Sequence, residues 1–211
     1  RKGTADNFGG SGERKAVIVY SGGDDVFLAG AWNDVIAAFM DIRNALEKFT
    51  QGTLTISGGV GIYDAKYPLN VMAKEVERLE DRSKHVEGKN AVTLFDEIHA
   101  YPWSVFIQNV VTEKIGVLKN YFDQNDEHGM AFLYHLMELL RESGNNINFA
   151  RYVYLLSRME PQEHENKEKR AAYRSFSRKM YEWSRKEQDR KELIMAIYLY
   201  VYLNRKREEQ D

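Results

Sequence analysis

A Gly-Gly-Asp-Asp turn between two apolar runs restricts the possible folds of this chain more than any other segment. It lies in the stretch that begins KAVIVYSGGDDVFLAG at Lys15, where Ala16–Tyr20 and Val26–Ala31 are rich in β-branched and aromatic residues. Two such runs joined by a short glycine-containing turn predict a β-hairpin. A turn needs glycines but not two adjacent carboxylates, whose charges repel. Asp24 and Asp25 are therefore either solvent-facing turn residues or ligands of a positive group.

Helix and strand signals alternate after the hairpin. Apolar residues at helical spacing predict a helix capped by Asn33 or Asp34, and Pro68 opens a second helix. Strands are predicted at Thr53–Tyr63, TLTISGGVGIY, and at Ala91–Phe95, AVTLF. The order β-β-α-β-α-β predicts an α+β fold, with the ferredoxin-like (split βαβ) arrangement of a palm domain.

Strand signals fade beyond residue 102, and helical periodicity predicts an all-α bundle as a second domain. The predicted helices cover about residues 105–121, 128–143, 147–158 and, as one or two helices, 166–208. We therefore predict three parts, which are a polar lead-in or loop at 1–14, the palm domain at 15–102 and the helical domain at 103–211.

Composition excludes some classes of protein. The chain has no cysteine, which rules out disulfides and cysteine-ligated zinc and fits a reducing compartment such as the cytoplasm. It holds no run of about eighteen apolar residues, so no membrane-spanning helix is predicted. The formal net charge of −2 does not favour a nucleic-acid or membrane partner for the chain as a whole.

The turn itself suits a metal and a nucleotide. Mg²⁺, and by the same reasoning Mn²⁺, takes one or two carboxylates and completes its shell with water and substrate phosphates, so Asp24 and Asp25 are candidate ligands. Gly22 and Gly23 allow a phosphate or base to approach the backbone closely. A metal between the carboxylates and a triphosphate would stabilise charge during nucleotidyl transfer. The alternative is an ordinary aspartate-rich turn.

These residues carry a family resemblance. YSGGDDVFLAG resembles the GGDD signature of the palm in the large subunit of type III CRISPR effector complexes, which is related to GGDEF and adenylyl cyclase domains. LTISGGVGIYDAKYPLNVMAKEVERLEDRSK resembles the strand, glycine turn, proline and lysine-ended helix of that family. AVTLF followed by a tryptophan, and then a helical domain, extend the resemblance over Lys15–Asp211. The nearest match is the Csm-type, subtype III-A, large subunit.

The resemblance implies a palm that uses ATP and Mg²⁺ or Mn²⁺ to make cyclic oligoadenylates once target RNA is bound. It implies that Asp24 and Asp25 hold the metal. The implied nucleotide-binding residues are Gly22 and Gly23 at the turn, Ser57, Gly58 and Gly59 against the base or ribose, and Arg82 or Lys84 against the triphosphate. The residues alone also allow a strand bulge at 57–59 and a helix-end cation at Lys84 that complements the helix dipole.

The implied partners are guide RNA, target RNA, a small subunit at the helical domain and a guide-tag-binding subunit at the palm. The family also has an HD nuclease domain, a first palm, and a strand and helix before the hairpin. Because only a polar segment from Arg1 precedes the hairpin here, we expect the remainder of the large subunit as a further partner and a fragment that is incomplete alone.

Two other functions fit the pattern less well. A GGDEF-type diguanylate cyclase has Glu and Phe after its first Asp, where this chain has Asp25 and Val26, and it gives no reason for the helical domain. A catalytically silent palm that serves only as an assembly scaffold has no need for both aspartates.

One basic stretch stands apart from this pattern. Lys167–Lys191 carries ten Lys or Arg against four Asp or Glu, with Tyr173, Phe176, Tyr181 and Trp183 interleaved. This composition is typical either of an amphipathic bundle helix or of a surface that contacts RNA or a small subunit.

Overall fold

The computed structural model describes residues 13–123, 130–142, 146–162 and 167–208, and the side chains of 205–208 are not among the described atoms. The chain divides into two compact units, Arg1–Ile107 and Gln108–Asp211. The described strands lie in the first unit, and the second is helical throughout its described ranges. The α+β class is confirmed. The predicted lead-in lies almost wholly outside the described residues, as do the predicted helix starts at 128 and 166.

The predicted hairpin is present. Strand β1 (Ala16–Gly22) pairs antiparallel with β2 (Asp25–Gly30) through a loop of two residues, Gly23 and Asp24. Gly23 has φ +64°, and Asp24 is not among the residues with positive φ. A positive φ at the first loop residue alone is the pattern of a type II′ turn, whose twist matches that of the paired strands. Glycine is the residue that adopts this conformation without strain.

Helix α1 (Trp32–Phe49) follows the hairpin, but its amino-terminal cap differs from the prediction. The cap residue is Ala31, with no side-chain hydrogen bond, so the prediction of Asn33 or Asp34 as cap is wrong. Asp34 is buried and its Oδ2 accepts the backbone N–H of Lys15 at 3.2 Å, while the N–H of Ala31 donates to the Lys15 carbonyl at 2.8 Å. Asp34 therefore ties the helix to the start of the hairpin.

A second sheet contains the other three strands. β3 (Gly58–Val60) lies parallel to β4 (Ala91–Leu94), and β5 (Ala100–Pro102) lies antiparallel to β4. Helix α2 (Leu69–Lys84) makes the crossover between the two parallel strands. The strand predicted over Thr53–Tyr63 is therefore reduced to three residues, and β5 was not predicted. Among the described strands, no ladder joins the hairpin to this second sheet.

Two hydrogen bonds that involve side chains lie just before Gly58, where a longer β3 would have continued the ladder. The indole Nε1 of Trp103 donates to the carbonyl of Ile56 at 3.0 Å, and the N–H of Ala91 donates to Ser57 Oγ at 3.4 Å. Strand β4 has only four residues to pair, and all of them are buried. Trp103 also packs edge-on against Phe39 of α1 at 4.8 Å.

The chain is helical from Trp103 onward in the described ranges. The segments are α3 (Trp103–Val105), a π-helical segment (Phe106–Lys114), α4 (Ile115–Phe122), α5 (Met130–Arg141), α6 (Asn146–Ser157), α7 (Lys167–Arg185) and α8 (Glu187–Glu208). Helix α8 forms the centre of the second unit, since Leu193–Val201 is buried at nearly every position, as its all-round apolar sequence predicts. None of the described helices is long and apolar enough to cross a bilayer.

Candidate metal and nucleotide site

The hairpin places both aspartates at its exposed tip. Gly22 and Asp25 form the last rung of the ladder, and Asp24 occupies the turn itself. A Cβ on Gly22 would clash with the ring of Tyr20, whereas a Cβ on Gly23 would meet nothing within 4 Å. The space over the turn is therefore open, and both carboxylates can be reached by a ligand.

The chemistry of the Asp24 and Asp25 pair fits a hard divalent cation. Two adjacent carboxylates with open space around them are the protein ligands that Mg²⁺ commonly takes, with water and phosphate oxygens supplying the rest. Across the described ranges, no group of three or more His, Asp or Glu side chains is placed to hold a metal ion. Metal binding by Asp24 and Asp25 stays a prediction.

Lys84 is the last residue of α2. Its Nζ lies 2.8 Å from Glu80 Oε1, and its side chain is 47% exposed. The hydrogen bond to Glu80 raises the pKa of Lys84, desolvation opposes this, and the charges of Glu80, Asp81 and Asp25 raise it further. Asp25, whose effect is the smallest of these, is the one that comes from the hairpin.

Arg82, the other predicted cation, has a different contact. It is exposed, and its Nε donates to the backbone carbonyl of Glu97 at 3.3 Å. This bond ties the last turn of α2 to the connection between β4 and β5. A contact between Arg82 and a triphosphate stays a prediction. In this structure the Arg82 side chain bonds the protein backbone instead.

The segment Ser57–Gly59 packs against protein on the sides where a side chain would lie. A Cβ on Gly58 would clash with the ring of Phe39, and one on Gly59 would clash with the backbone and Leu79 side chain of α2. Close helix packing therefore explains why both positions are glycine. A contact of Ser57, Gly58 or Gly59 with a base or ribose stays a prediction.

A buried hydroxyl pair beneath Lys84 escaped the sequence reasoning. Ser83 Oγ donates to the Gly58 carbonyl at 2.8 Å and lies 2.7 Å from Thr93 Oγ1, and both hydroxyl side chains are fully buried. These bonds join the last turn of α2 to β3 and β4 at once. They position the backbone of Lys84. The sequence feature that could have revealed Ser83 is a small polar residue on the apolar face of an amphipathic helix.

A tyrosine pair fixes the other end of α2. The rings of Tyr63 and Tyr67 stack with centroids 5.3 Å apart, and the Tyr67 hydroxyl donates to Glu75 Oε1 at 3.0 Å. Burial, followed by the hydrogen bond and charge of Glu75, raises the pKa of Tyr63 to about 12. The neutral phenol is therefore the form that the folded β3–α2 connection holds.

This raised pKa predicts a loss of stability at alkaline pH. A tyrosine with a pKa of about 12 when folded and about 10 when unfolded stabilises the fold fully below pH 10 and less as pH rises through 12. We expect Tyr63→Phe to show a smaller fall in urea midpoint between pH 8 and pH 11 than the unsubstituted chain. Glu75→Gln should move the Tyr63 absorbance titration towards 10. An identical pH dependence in Tyr63→Phe would contradict the assignment.

Two family models match the chain in the order of its two units. Residues 4–93 match the Cas10/Cmr2 second palm domain, and residues 119–206 match the second helical domain of the Cmr2 subunit of the CRISPR RNA silencing complex. These matches thus define a palm domain followed by a helical domain of a CRISPR effector large subunit. The chain belongs to the Cas10 family, and its relatives are of the Csm1, subtype III-A, kind.

Three curated relatives, each named CRISPR system single-strand-specific deoxyribonuclease Cas10/Csm1 (subtype III-A), support this membership. The chain is 43% identical to the Mycobacterium tuberculosis protein over 197 residues, 39% to that of Streptococcus thermophilus over 197, and 40% to that of Enterococcus italicus over 185. These alignments cover 93%, 92% and 88% of the chain, but 24%, 26% and 23% of the relatives. The chain therefore spans about a quarter of the length of these relatives.

Proposed function

We propose that the palm unit is the nucleotidyltransferase of a type III-A CRISPR effector complex and makes cyclic oligoadenylates from ATP when target RNA is bound. The observation that carries this proposal is the pair of adjacent, exposed carboxylates at the open hairpin tip, Asp24 and Asp25. The hairpin tip presents two exposed carboxylates with open space over Gly23, and Lys84 at the end of α2 is near enough for the charge of Asp25 to raise its pKa. This arrangement of charges suits a triphosphate with a bound metal ion. The carboxylates would bind the metal ion, and the ammonium group would lie against phosphate oxygens that the metal leaves unneutralised.

In the proposed reaction, the 3′-hydroxyl oxygen of one nucleotide attacks the α-phosphorus of an ATP. A new P–O bond forms, the bond to pyrophosphate breaks, and the hydroxyl proton passes to solvent. Asp24 and Asp25 would hold Mg²⁺ or Mn²⁺, which supplies charge stabilisation to the transferring phosphoryl group. Lys84 would neutralise the triphosphate, and the Ser83 hydroxyl network would keep it in place. The last 3′-hydroxyl closes the ring by the same chemistry.

The exposed hairpin supports a larger assembly. Val17, Ile18 and Tyr20 are 64%, 68% and 57% exposed, and they lie on both faces of β1. A two-stranded hairpin with bare apolar faces is marginal alone, so we propose that the remainder of the large subunit covers it. Guide RNA, target RNA, a small subunit and a guide-tag-binding subunit would complete a cytoplasmic ribonucleoprotein.

The decisive experiment uses the intact assembly. It is incubated with Mg²⁺, target RNA and either ATP or GTP, and the products are identified by mass spectrometry together with released pyrophosphate. The proposal expects cyclic adenylates from ATP that depend on target RNA. Consumption of GTP instead would favour the diguanylate cyclase, and consumption of neither nucleotide would favour the silent scaffold.

Removing the Lys84 charge should slow this reaction. We expect Lys84→Gln to lower kcat/KM for ATP about tenfold to hundredfold, because it removes one cation from the triphosphate site. Lys74→Gln, on the same helix and also exposed, is the matched control and should leave the rate unchanged. A rise in KM for ATP would indicate that Lys84 already contacts ATP before the transition state. Equal rates for the two variants would refute the role of Lys84.

A further inference from the structure

The outward face of α7 carries an unusual density of cations. Helix α7 buries Tyr173, Phe176 and Met180 in the second unit. Its remaining surface holds cations at helical spacing, from the amino-terminal turn to the carboxyl end. They are Lys167, Arg170, Arg174, Arg178 and Arg185. They extend over about 27 Å of helix at 1.5 Å per residue, in a chain whose formal net charge is −2.

Three of these cations lie close together in the first turns of α7. Within the described part of the chain, the side chains of Lys167, Arg170 and Arg174 make no ion pair. Together with Ala171 they line a surface depression of about 440 Å³. Arg170 is only partly exposed, and a partly desolvated guanidinium without a partner favours an anion strongly. Glu168 is the exposed acid nearest in sequence to this depression.

The carboxyl end of the same face adds an aromatic surface. Tyr181 is 38% exposed, its hydroxyl accepts from Arg185 at 3.1 Å, and the Arg185 guanidinium lies 5.8 Å from the centre of its ring. Arg178 pairs with Glu182 at 2.9 Å, with side chains 80% and 55% exposed. An exposed pair of this kind is weak and can exchange its carboxylate for another anion.

From these contacts we infer that the outward face of α7 binds the phosphate backbone of single-stranded nucleic acid. Unpaired guanidinium groups suit phosphate oxygens through paired hydrogen bonds, and the Tyr181–Arg185 stack can receive an unpaired base. An acidic protein surface would use the cations but has no base to place on the aromatic ring. This inference does not rest on the proposed nucleotidyl transfer, since it needs neither ATP nor a metal.

The test is a binding titration with the full 211-residue chain and a fluorescein-labelled single-stranded RNA of mixed sequence. The variant Lys167→Gln, Arg170→Gln, Arg174→Gln keeps good helix formers at each position. Its matched control has the same change of charge on exposed lysines of the first unit, as Lys48→Gln, Lys66→Gln, Lys74→Gln. We expect the α7 variant to bind at least tenfold more weakly than the control.

The salt dependence gives a second measure. Each lost phosphate contact reduces the slope of log affinity against log salt by about 0.7 for a single strand, so the triple variant should lose about 2. Tyr181→Leu, which keeps an apolar contact with Phe149, should weaken binding about fivefold or more and leave the slope unchanged.

The opposite outcomes are equally specific. RNA affinity and salt slope that match between the α7 variant and its control would overturn the inference. Loss of co-purification with another subunit, while RNA binding persists, would assign the face to a protein partner and would overturn it as well. Either result leaves the ATP assay of the palm unaffected, so the two proposals fail separately.

Discussion

Replacing Asp24 and Asp25 with asparagine is expected to reduce cyclic adenylate formation by about a thousandfold or more. A bound metal stabilises charge in the transition state by several kcal/mol, and about 1.4 kcal/mol corresponds to a factor of ten. Asparagine has nearly the shape of aspartate but lacks the charge that holds a divalent ion. Both carboxylates are exposed, and Gly23 supplies the unusual backbone angle, so the hairpin should fold unchanged.

The controls separate chemistry from assembly. Asp64→Asn with Glu87→Gln removes the same charge from exposed positions of the same unit and should leave product formation intact. Co-purification of the other subunits and RNA must be equal for both variants. Product that persists in the Asp24, Asp25 variant, with an unchanged dependence on Mg²⁺ or Mn²⁺, would remove these residues from the catalytic site.

Replacing Lys114 with alanine is expected to lower the free energy of unfolding of the helical unit by about 3–5 kcal/mol. The Lys114 ammonium is 1% exposed and lies 2.8 Å from Glu192 and 3.3 Å from Asp189. It also lies 5.0 Å from the ring centre of Trp183. Without it, the Glu192 carboxylate remains buried and, among the described residues, keeps only the neutral hydrogen bonds from Asn109 and Gln188. Urea denaturation followed by circular dichroism measures the loss.

Two comparisons test whether burial is the cause. The double variant Lys114→Met, Glu192→Leu removes both charges and should recover most of the lost stability, because apolar packing often equals a buried ion pair. Arg178→Ala breaks an exposed pair and should cost less than about 1 kcal/mol. A cost below about 1 kcal/mol for Lys114→Ala would mean that water or another side chain compensates Glu192.

Local patterns in the chain were sufficient for the hairpin, the helices and the order of the elements as far as β4, but not for β5. The hairpin follows from two β-branched runs and a glycine turn, because the twist of paired strands selects that turn. Helix α8 follows from apolar residues on every side. Where local rules failed, a distant partner decided the outcome. Trp103 takes the Ile56 carbonyl that a longer β3 would have used, and Asp34 serves Lys15 instead of capping its own helix.

The candidate site, too, was predicted from the sequence only in part. The residue types at the hairpin tip already favoured metal and phosphate chemistry, because adjacent carboxylates suit a divalent cation and glycine lets a phosphate approach the backbone. Only the packed fold brought Lys84 within electrostatic reach of Asp25, placed the Ser83 hydroxyl on two strands, and paired Lys114 with Glu192 across the helical unit. Residues far apart in the chain meet only after the core has formed, and the cost of burying a charge or a hydroxyl without a partner then selects which of them meet.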